Sequence, residues 1–238
     1  QGSLPIVELF DLLIAFIPAL IVVVLLYRWS LGSGTALYAL ARMMVQLAAI
    51  GYLLTYIFLS DSPVIVLVVL MVMLVVGSWI AMRPLQNRNR RVYARALVAI
   101  TIGGVSTLVL VAAGVLRLEP FYEPRFLVPL AGMIFANSMN TLSLAMERFE
   151  SELGNGANYL EARQRAFHAA LIPLINSLLA VGLVSFPGMM TGQILSGVSP
   201  VVAARYQIVV MCMLFGAAGI STGLYLAWAR RDHVKQAA

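Results

Sequence analysis

Residues Glu147–His168 read ERFESELGNGANYLEARQRAFH and form a polar segment between two long apolar regions. The segment holds four Glu, three Arg and one His, whereas the regions on both sides of it are almost uncharged. Because charged groups are costly in hydrocarbon, a segment with this charge density is expected in water, on one side of a membrane. The apolar regions that flank it are then expected to lie within the membrane.

The composition of the whole chain supports this interpretation. Of its 238 residues, 61% are hydrophobic and only 11% are charged, and the mean hydropathy is +0.93. A soluble domain carries about 25% charged residues, so a soluble fold is excluded. We predict an all-α, polytopic helical membrane protein with a single transmembrane domain over residues 1–238. The net charge of +6 reflects short basic clusters, which indicate orientation in a membrane and no nucleic-acid partner.

Seven stretches are candidates to span a bilayer, for which about 20 mainly apolar residues are needed, and the sixth of them is short for a span. They cover residues 5–27, 36–59, 63–82, 94–116, 126–146, 169–186 and 206–228. The loop after the third stretch contains Arg83, Arg88, Arg90, Arg91 and Arg95 and no acidic residue. The positive-inside rule predicts this loop in the cytoplasm. Counting from it places the N-terminus outside, and both the polar segment and the C-terminus inside.

The sixth stretch differs from the others because Pro187-Gly188 interrupts it. Irregular backbone at membrane depth is tolerated where protein or a cavity covers it. Phe186–Thr191 is therefore a candidate for a broken helix or re-entrant turn that lines a pathway. A simple loop at the outer surface is the alternative.

The polar segment contains signals for a helix of its own. Gly154-Asn155-Gly156 is typical of a turn, and Asn158 followed by Glu161 resembles an N-cap with its capping-box partner. Glu161 and Arg165 share one face of the predicted short helix, and Tyr159 belongs to an apolar face. Such a helix is suited to receive a partner protein. An ordinary solvated loop between two spans is the other interpretation.

Several polar or soft side chains fall within the predicted spans. Met133 and Asn137 share a face of the fifth span, and Met189 and Met190 lie in the interrupted sixth stretch. Thioether and amide groups can ligate soft or borderline metal ions. Methionine is also a common filler of apolar cores, so packing is the competing explanation. Glu8 lies near the outer end of the first span, where it is either functional or solvated.

The sequence contains no constellation that indicates an enzyme. It has no Gly-rich phosphate loop with Lys, no HExxH motif and only one Cys. If the chain drives uphill transport, another subunit or an ion gradient must supply the energy.

Four patches of sequence are similar to one known family. The most specific patch is Leu183–Met190, followed by Gly192, Gly197, Pro200, Ala203, Tyr206 and Gln207. The others are Pro129, Ala131–Ile134, Asn137 and Met139; Arg42, Gln46, Gly51-Tyr52 and Tyr56–Phe58; and Ala169–Pro173. Together, and in their order along the chain, these patches resemble the bacterial Fet-type ABC permeases, implicated in iron export, and their plant relatives implicated in aluminium tolerance. The resemblance covers nearly the whole chain.

The resemblance implies a permease subunit in the cell inner (plasma) membrane that is not itself an enzyme. It implies a homodimeric core and a separate ABC ATPase subunit that binds ATP and Mg, with no cofactor in this chain. Residues 147–168 would couple to that ATPase, and the candidate coupling residues are Gly154, Ala157, Tyr159, Glu161, Arg163 and Arg165. A Leu-Gly-Ala stretch is expected there, but Asn155-Gly156 separates Leu153-Gly154 from Ala157.

The resemblance also suggests the cargo and the path. Export of a metal ion, iron first, is the leading hypothesis, and a small organic solute is the alternative. We place Met133, Asn137, Met139, Met189 and Met190 near the path, with Glu8 as an acid at its outer end. A membrane scaffold that regulates a partner without moving solute is a third hypothesis, which predicts no dependence on ATP.

Overall fold

A computed structural model describes residues 9–59, 62–86 and 88–236 of the chain. The described residues are almost entirely helical, and they contain no β-strand beyond an isolated bridge between Val181 and Ser185. The helices are α1 (Leu9–Arg28), α2 (Ser33–Phe58), α3 (Pro63–Ala81), α4 (Arg90–Val115), α5 (Pro124–Gly154), α6 (Tyr159–Ala180), α7 (Gly188–Leu195) and α8 (Pro200–Gln236). The prediction of an all-α, polytopic membrane protein is confirmed.

Contacts divide the described chain into two units, the first formed by α1 and α2 and the second by the remaining helices. In the first unit, a short connection ends at Gly32, whose φ of 72° lies in the left-handed region that glycine adopts readily. In the second unit, α5 packs against α3, α6 and α8, and α8 also packs against α4 and α7. The long helices α5 and α8 therefore form the centre of the second unit.

Helix α4 approaches its neighbours closely through a pair of glycines. Gly103 and Gly104 are buried within a π-helical segment, Thr101–Val105, and a second π-helical segment covers Leu110–Val115. A Cβ atom at Gly103 would lie 2.7 Å from the backbone nitrogen of Ser221 on α8. A Cβ atom at Gly104 would lie 2.9 Å from the ring of Phe135 on α5. The two glycines thus allow α4 to pack against both central helices.

Six of the seven predicted spans correspond to helices that are long and apolar enough to cross a membrane. The predicted sixth span, residues 169–186, does not. Its helix α6 ends at Ala180, and α7 begins only at Gly188. The break therefore starts before the predicted position, because Gly182 adopts a φ of 83° and its N–H donates to the Ser185 carbonyl at 2.9 Å. Pro187 then caps α7, so Met189 and Met190 are helical rather than part of the turn.

The interrupted region, formed by α6 and α7, nevertheless packs against α8 at several points along the α8 helix. The Tyr159 hydroxyl, in the first turn of α6, donates to the Leu226 carbonyl of α8 at 2.8 Å. Further along, Leu171 and Leu174 of α6 pack with Ala218 of α8. Helix α6 therefore runs antiparallel to α8, and α7 continues the contact with α8 after the break. Together α6 and α7 take the place that one continuous helix would fill.

The sequence predicted a separate short helix in the polar segment, and this prediction is wrong. The segment is instead the tip of a helical hairpin. Its first part is the end of α5, and its second part is the start of the 22-residue helix α6. Thirty-one residues make α5 about 46 Å long, whereas the hydrocarbon layer is about 30 Å thick. The charged end of α5 therefore projects beyond the part of the helix that a bilayer would cover.

Candidate functional site

A row of three cavities follows α5. A narrow cavity of about 50 Å³ lies between the first turns of α5 and the residues Met189, Tyr206 and Val210. A second cavity, of about 340 Å³, lies further along α5 and is bordered by α6, α7 and α8. A third, of about 240 Å³, lies between α5 and α6. We call them the narrow, middle and far cavities.

Neighbouring cavities share lining residues, so the three cavities are adjacent along α5. Met133, Met189 and Val210 line both the narrow and the middle cavity. Asn137, Leu174 and Ser177 line both the middle and the far cavity. The side chains at the two boundaries therefore face both of the cavities that they separate.

The lining of the middle cavity is neutral and rich in sulfur and oxygen atoms. Its lining residues are Met133, Asn137, Leu174, Ser177, Val181, Ser185, Pro187, Gly188, Met189, Gln207, Val210, Met211 and Leu214. They provide three thioethers, two amides and two hydroxyl groups, and none of these described residues is charged. Across the described part of the chain, no group of three or more His, Cys, Asp or Glu side chains could hold a metal ion.

The two amide side chains differ in their hydrogen bonding. The Asn137 amide nitrogen donates to the Met133 carbonyl, one turn earlier in α5, at 3.0 Å. A carbonyl can only accept a hydrogen bond, so the Asn137 group in this bond is its amide nitrogen, and its amide oxygen takes no part. Gln207 of α8 is buried, and its side-chain oxygen has no hydrogen-bond partner within the described protein. Both oxygens are acceptors.

The structure brings together half of the residues that the sequence places near a path. Met133, Asn137 and Met189 line the middle cavity, although Met189 is distant from the other two in sequence. Met139 and Met190 are half-buried and line none of the three cavities. Met139 is two positions from Asn137, which places it on a different face of the helix. Glu8 lies outside the described residues.

Three residues of the middle cavity were given no role on sequence grounds. Gln207 and Met211 face the cavity from α8, and Ser177 faces it from α6. Gln207 is a polar residue in the predicted seventh span, which is the same signal that singled out Asn137 in the fifth. For Met211 and Ser177 no local pattern distinguishes them from core residues.

The hairpin tip is closed by local hydrogen bonds. The Asn158 side chain accepts from the Glu161 backbone N–H at 3.0 Å, which confirms the predicted N-cap of α6. Gly156 has a φ of 87° in the turn between the two helices. Gly154 and Glu161 are exposed and Ala157 is half-buried, so this group of candidate coupling residues lies at or near the surface.

A buried carboxylate joins the two arms of the hairpin. Glu152 of α5 pairs with Arg165 of α6 at 2.7 Å and also with Arg148, one turn earlier in α5. The hydrogen bond from Arg165 lowers the pKa of the Glu152 carboxyl, against the opposing effect of burial. The sequence placed Arg165 on one face with Glu161, yet its ion pair is with Glu152. The sequence analysis gave Glu152 no individual role, because this contact crosses the turn.

Tyr159 anchors the hairpin to α8. In addition to its hydrogen bond with Leu226, its ring meets Phe149 edge-on, with 6.1 Å between ring centroids. The Arg163 guanidinium lies 5.6 Å from the centroid of the Tyr159 ring. Of the candidate coupling residues, Tyr159, Arg163 and Arg165 therefore make side-chain contacts within the chain.

A wide cavity of about 720 Å³ opens beside the hairpin. It is bordered by the basic loop at Pro84–Gln86, by the end of α5 from Met146 to Asn155, and by Tyr225 and Ala229 of α8. The Glu150 carboxylate accepts from the Gln86 backbone N–H, and burial raises the pKa of this carboxyl. The basic loop, the hairpin and this part of α8 therefore lie at the same end of the second unit, as the positive-inside argument requires.

Comparison with known proteins identifies relatives over almost the whole chain. Residues 9–233 match the family described as "Uncharacterised protein family (UPF0014)". The rice UPF0014 membrane protein STAR2 is 36% identical over 224 residues, which are 87% of this chain and 77% of STAR2. The Arabidopsis protein ALUMINUM SENSITIVE 3 is 31% identical over 232 residues, which are 90% of this chain and 84% of that protein.

A bacterial relative has a name that refers to transport. The Escherichia coli "Probable iron export permease protein FetB" is 33% identical over 205 residues, which are 78% of this chain and 76% of FetB. No solved structure matches this chain.

Proposed function

This chain belongs to the UPF0014 family of membrane proteins, and on that premise we propose that it is the permease subunit of an ABC transporter that exports a metal ion. Iron is the first candidate cargo, because a relative that is 33% identical is named as a probable iron export permease. The protein would act in the cell inner (plasma) membrane. ATP and Mg would bind to a separate ATPase subunit, so the chain itself would not be an enzyme.

The observation that carries this proposal is the row of three adjacent cavities along α5. It passes Met133, Met189 and Asn137, whose sulfur and oxygen atoms suit the transient binding of a metal ion. A path through a membrane needs sites that bind a cargo weakly enough to release it again. Neutral thioether and amide groups meet that requirement better than a cage of carboxylates.

The hairpin supports the proposed partnership with an ATPase. Its arms, α5 and α6, continue directly into the segments that line the middle cavity, through Asn137 on α5 and Ser177 on α6. The Glu152–Arg165 ion pair joins the two arms of the hairpin, and the Tyr159–Leu226 hydrogen bond joins the hairpin to the adjacent end of α8. A displacement of the tip by the ATPase would therefore reach the cavity through rigid helices. Two copies of the permease would pair with two ATPase subunits.

Gly154 offers a specific test of the ATPase partnership. A Cβ atom there meets nothing within 4 Å, so Gly154→Trp should leave the packing of the chain intact. If the tip docks into an ATPase, the bulky side chain should obstruct that contact and lower permease-stimulated ATP hydrolysis. Gly192→Trp on α7 is the matched control, because its position is equally open and lies away from the hairpin. Unchanged stimulation by Gly154→Trp would argue against docking at the tip.

A small organic solute is the second candidate cargo. The middle and far cavities have volumes of about 340 and 240 Å³ and share one wall, so they are larger than a bare ion requires. Transport of metals and of organic solutes by the same reconstituted complex separates the two candidates.

A further inference from the structure

Gln207 carries a buried oxygen atom that has no partner in the protein. Only 6% of the residue is exposed, and its side-chain oxygen accepts no hydrogen bond from the described residues. The residue lines the middle cavity. The oxygen atom itself is sealed from water, so a rotation of the Gln207 side chain would be needed to bring it to an occupant of the cavity. That rotation would relieve the desolvation cost of a buried acceptor without a partner.

A second acceptor lines the same cavity. Because the Asn137 amide nitrogen is bound to the Met133 carbonyl, the Asn137 oxygen remains available. Three thioether sulfurs, from Met133, Met189 and Met211, share the cavity with these oxygens. Apart from these amide and thioether side chains, the described lining contributes two hydroxyl groups and apolar or backbone surface. Asn137 and the three methionines therefore offer a cation one oxygen acceptor and three soft sulfur ligands, and Gln207 carries a second oxygen acceptor.

We propose that the middle cavity is a binding site for a soft cation of low charge, such as a silver or cuprous ion. The oxygens of Asn137 and Gln207 and the sulfurs of Met133, Met189 and Met211 would hold it. This inference rests on the proposed function, since it assigns a class of cargo to the same path. Thioethers favour soft ions over hard ones. The described lining contains no anion to offset the desolvation of a trivalent ion, so ferric and aluminium ions should not bind.

The size of the cavity agrees with reversible binding. Its volume of about 340 Å³ corresponds to roughly eleven water molecules at about 30 Å³ each. A cation can therefore keep part of its hydration shell while it contacts some of the five ligand groups. Ferrous iron, which is intermediate between soft and hard, should bind more weakly than silver.

The test is an equilibrium dialysis of silver nitrate against the full-length permease in lipid nanodiscs, without ATPase or ATP. All proteins carry Cys212→Ser, because the exposed Cys212 thiol would otherwise bind silver. Gln207→Leu and Met189→Leu should each weaken the tightest silver site by about tenfold or more, as expected for one lost contact to a charged group. Gln193→Leu and Met190→Leu are matched controls that line none of the three cavities, and they should leave the affinity unchanged.

A gain of function provides an independent readout. Gln207→Glu keeps the size of the side chain and adds one negative charge, so it should raise the affinity for ferrous iron above that of the wild type. The proposal is overturned if silver affinity survives Gln207→Leu and Met189→Leu, or if ferric iron binds the wild type as tightly as silver. Because binding is measured without ATP, silver binding without ATP-driven transport would refute the proposed function alone. Transport without silver binding would refute this inference alone.

Discussion

Two adjacent methionines provide the most direct residue-level test of the path. Met189 lies on the boundary between the narrow and middle cavities, whereas Met190 lines neither of them. Met189→Leu preserves volume and apolar character but removes the sulfur atom. We expect it to reduce ATP-dependent metal transport severalfold, and we expect Met190→Leu to transport like the wild type. Equal loss in both variants would mean that packing, rather than the sulfur of Met189, determines the rate.

Gly103 provides a test of the packing around α4. In Gly103→Ala, the new methyl group would meet the Ser221 hydroxyl and lie 2.7 Å from the Ser221 backbone nitrogen. Overpacking of this kind costs about 1–3 kcal/mol, so the variant should unfold at a lower temperature in detergent. Gly114→Ala on the same helix is the control, because its nearest contact is 3.7 Å away. An unchanged midpoint for Gly103→Ala would show that α4 and α8 can separate at little cost.

At the residue scale, the sequence predicts best what depends on neighbours in the chain. The N-cap at Asn158 follows from the residues beside it, and the structure confirms it. The ion pair of Glu152 with Arg165 joins residues on opposite sides of the hairpin, and no helical spacing indicates it. The buried oxygen of Gln207 likewise becomes informative only when α5, α6 and α7 are placed around it.

At the scale of elements, the hairpin should depend on Glu152. Glu152→Ala removes the carboxylate that joins α5 to α6, so backbone amides around Asn155–Glu161 should exchange with deuterium severalfold faster. Glu147→Ala, an exposed acid on the same helix, should have little effect. The folded-state pKa of Glu152 is lowered, so the ion pair is present at neutral pH and is lost as the pH falls through that pKa. The difference between wild type and Glu152→Ala should therefore narrow in acid.

In the interrupted sixth region, local sequence signals predict that the helix breaks but not where it breaks. The sequence predicts an interruption because Pro187 cannot continue a helix, and an interruption is present. Its position differs because Gly182 turns the chain first, and Pro187 then initiates α7. Proline signals both the end and the start of a helix, so the sequence alone did not decide which applies here.

For the whole molecule, hydropathy predicted the helical class and seven spans, six of which are helices long and apolar enough to cross a membrane. Burial in lipid imposes the length and composition of such helices directly. Hydropathy could not predict the cavities, because they depend on how α5, α6, α7 and α8 pack together. The seven-span topology, with the N-terminus outside, stays a prediction. A cysteine introduced at exposed Asn155 in a Cys212→Ser background should react with an impermeant thiol reagent only from the cytoplasmic side. Labelling from the opposite side would reverse the predicted orientation.

On the function proposed above, the row of cavities along α5 carries a metal ion when an ATPase drives the hairpin. The most direct measurement reconstitutes the permease with its cognate ATPase in liposomes and follows the movement of iron beside other metal ions, with and without ATP. We expect metal movement that requires ATP, slows in Met189→Leu and persists in Met190→Leu. Vigorous ATP hydrolysis without movement of any metal ion would contradict it.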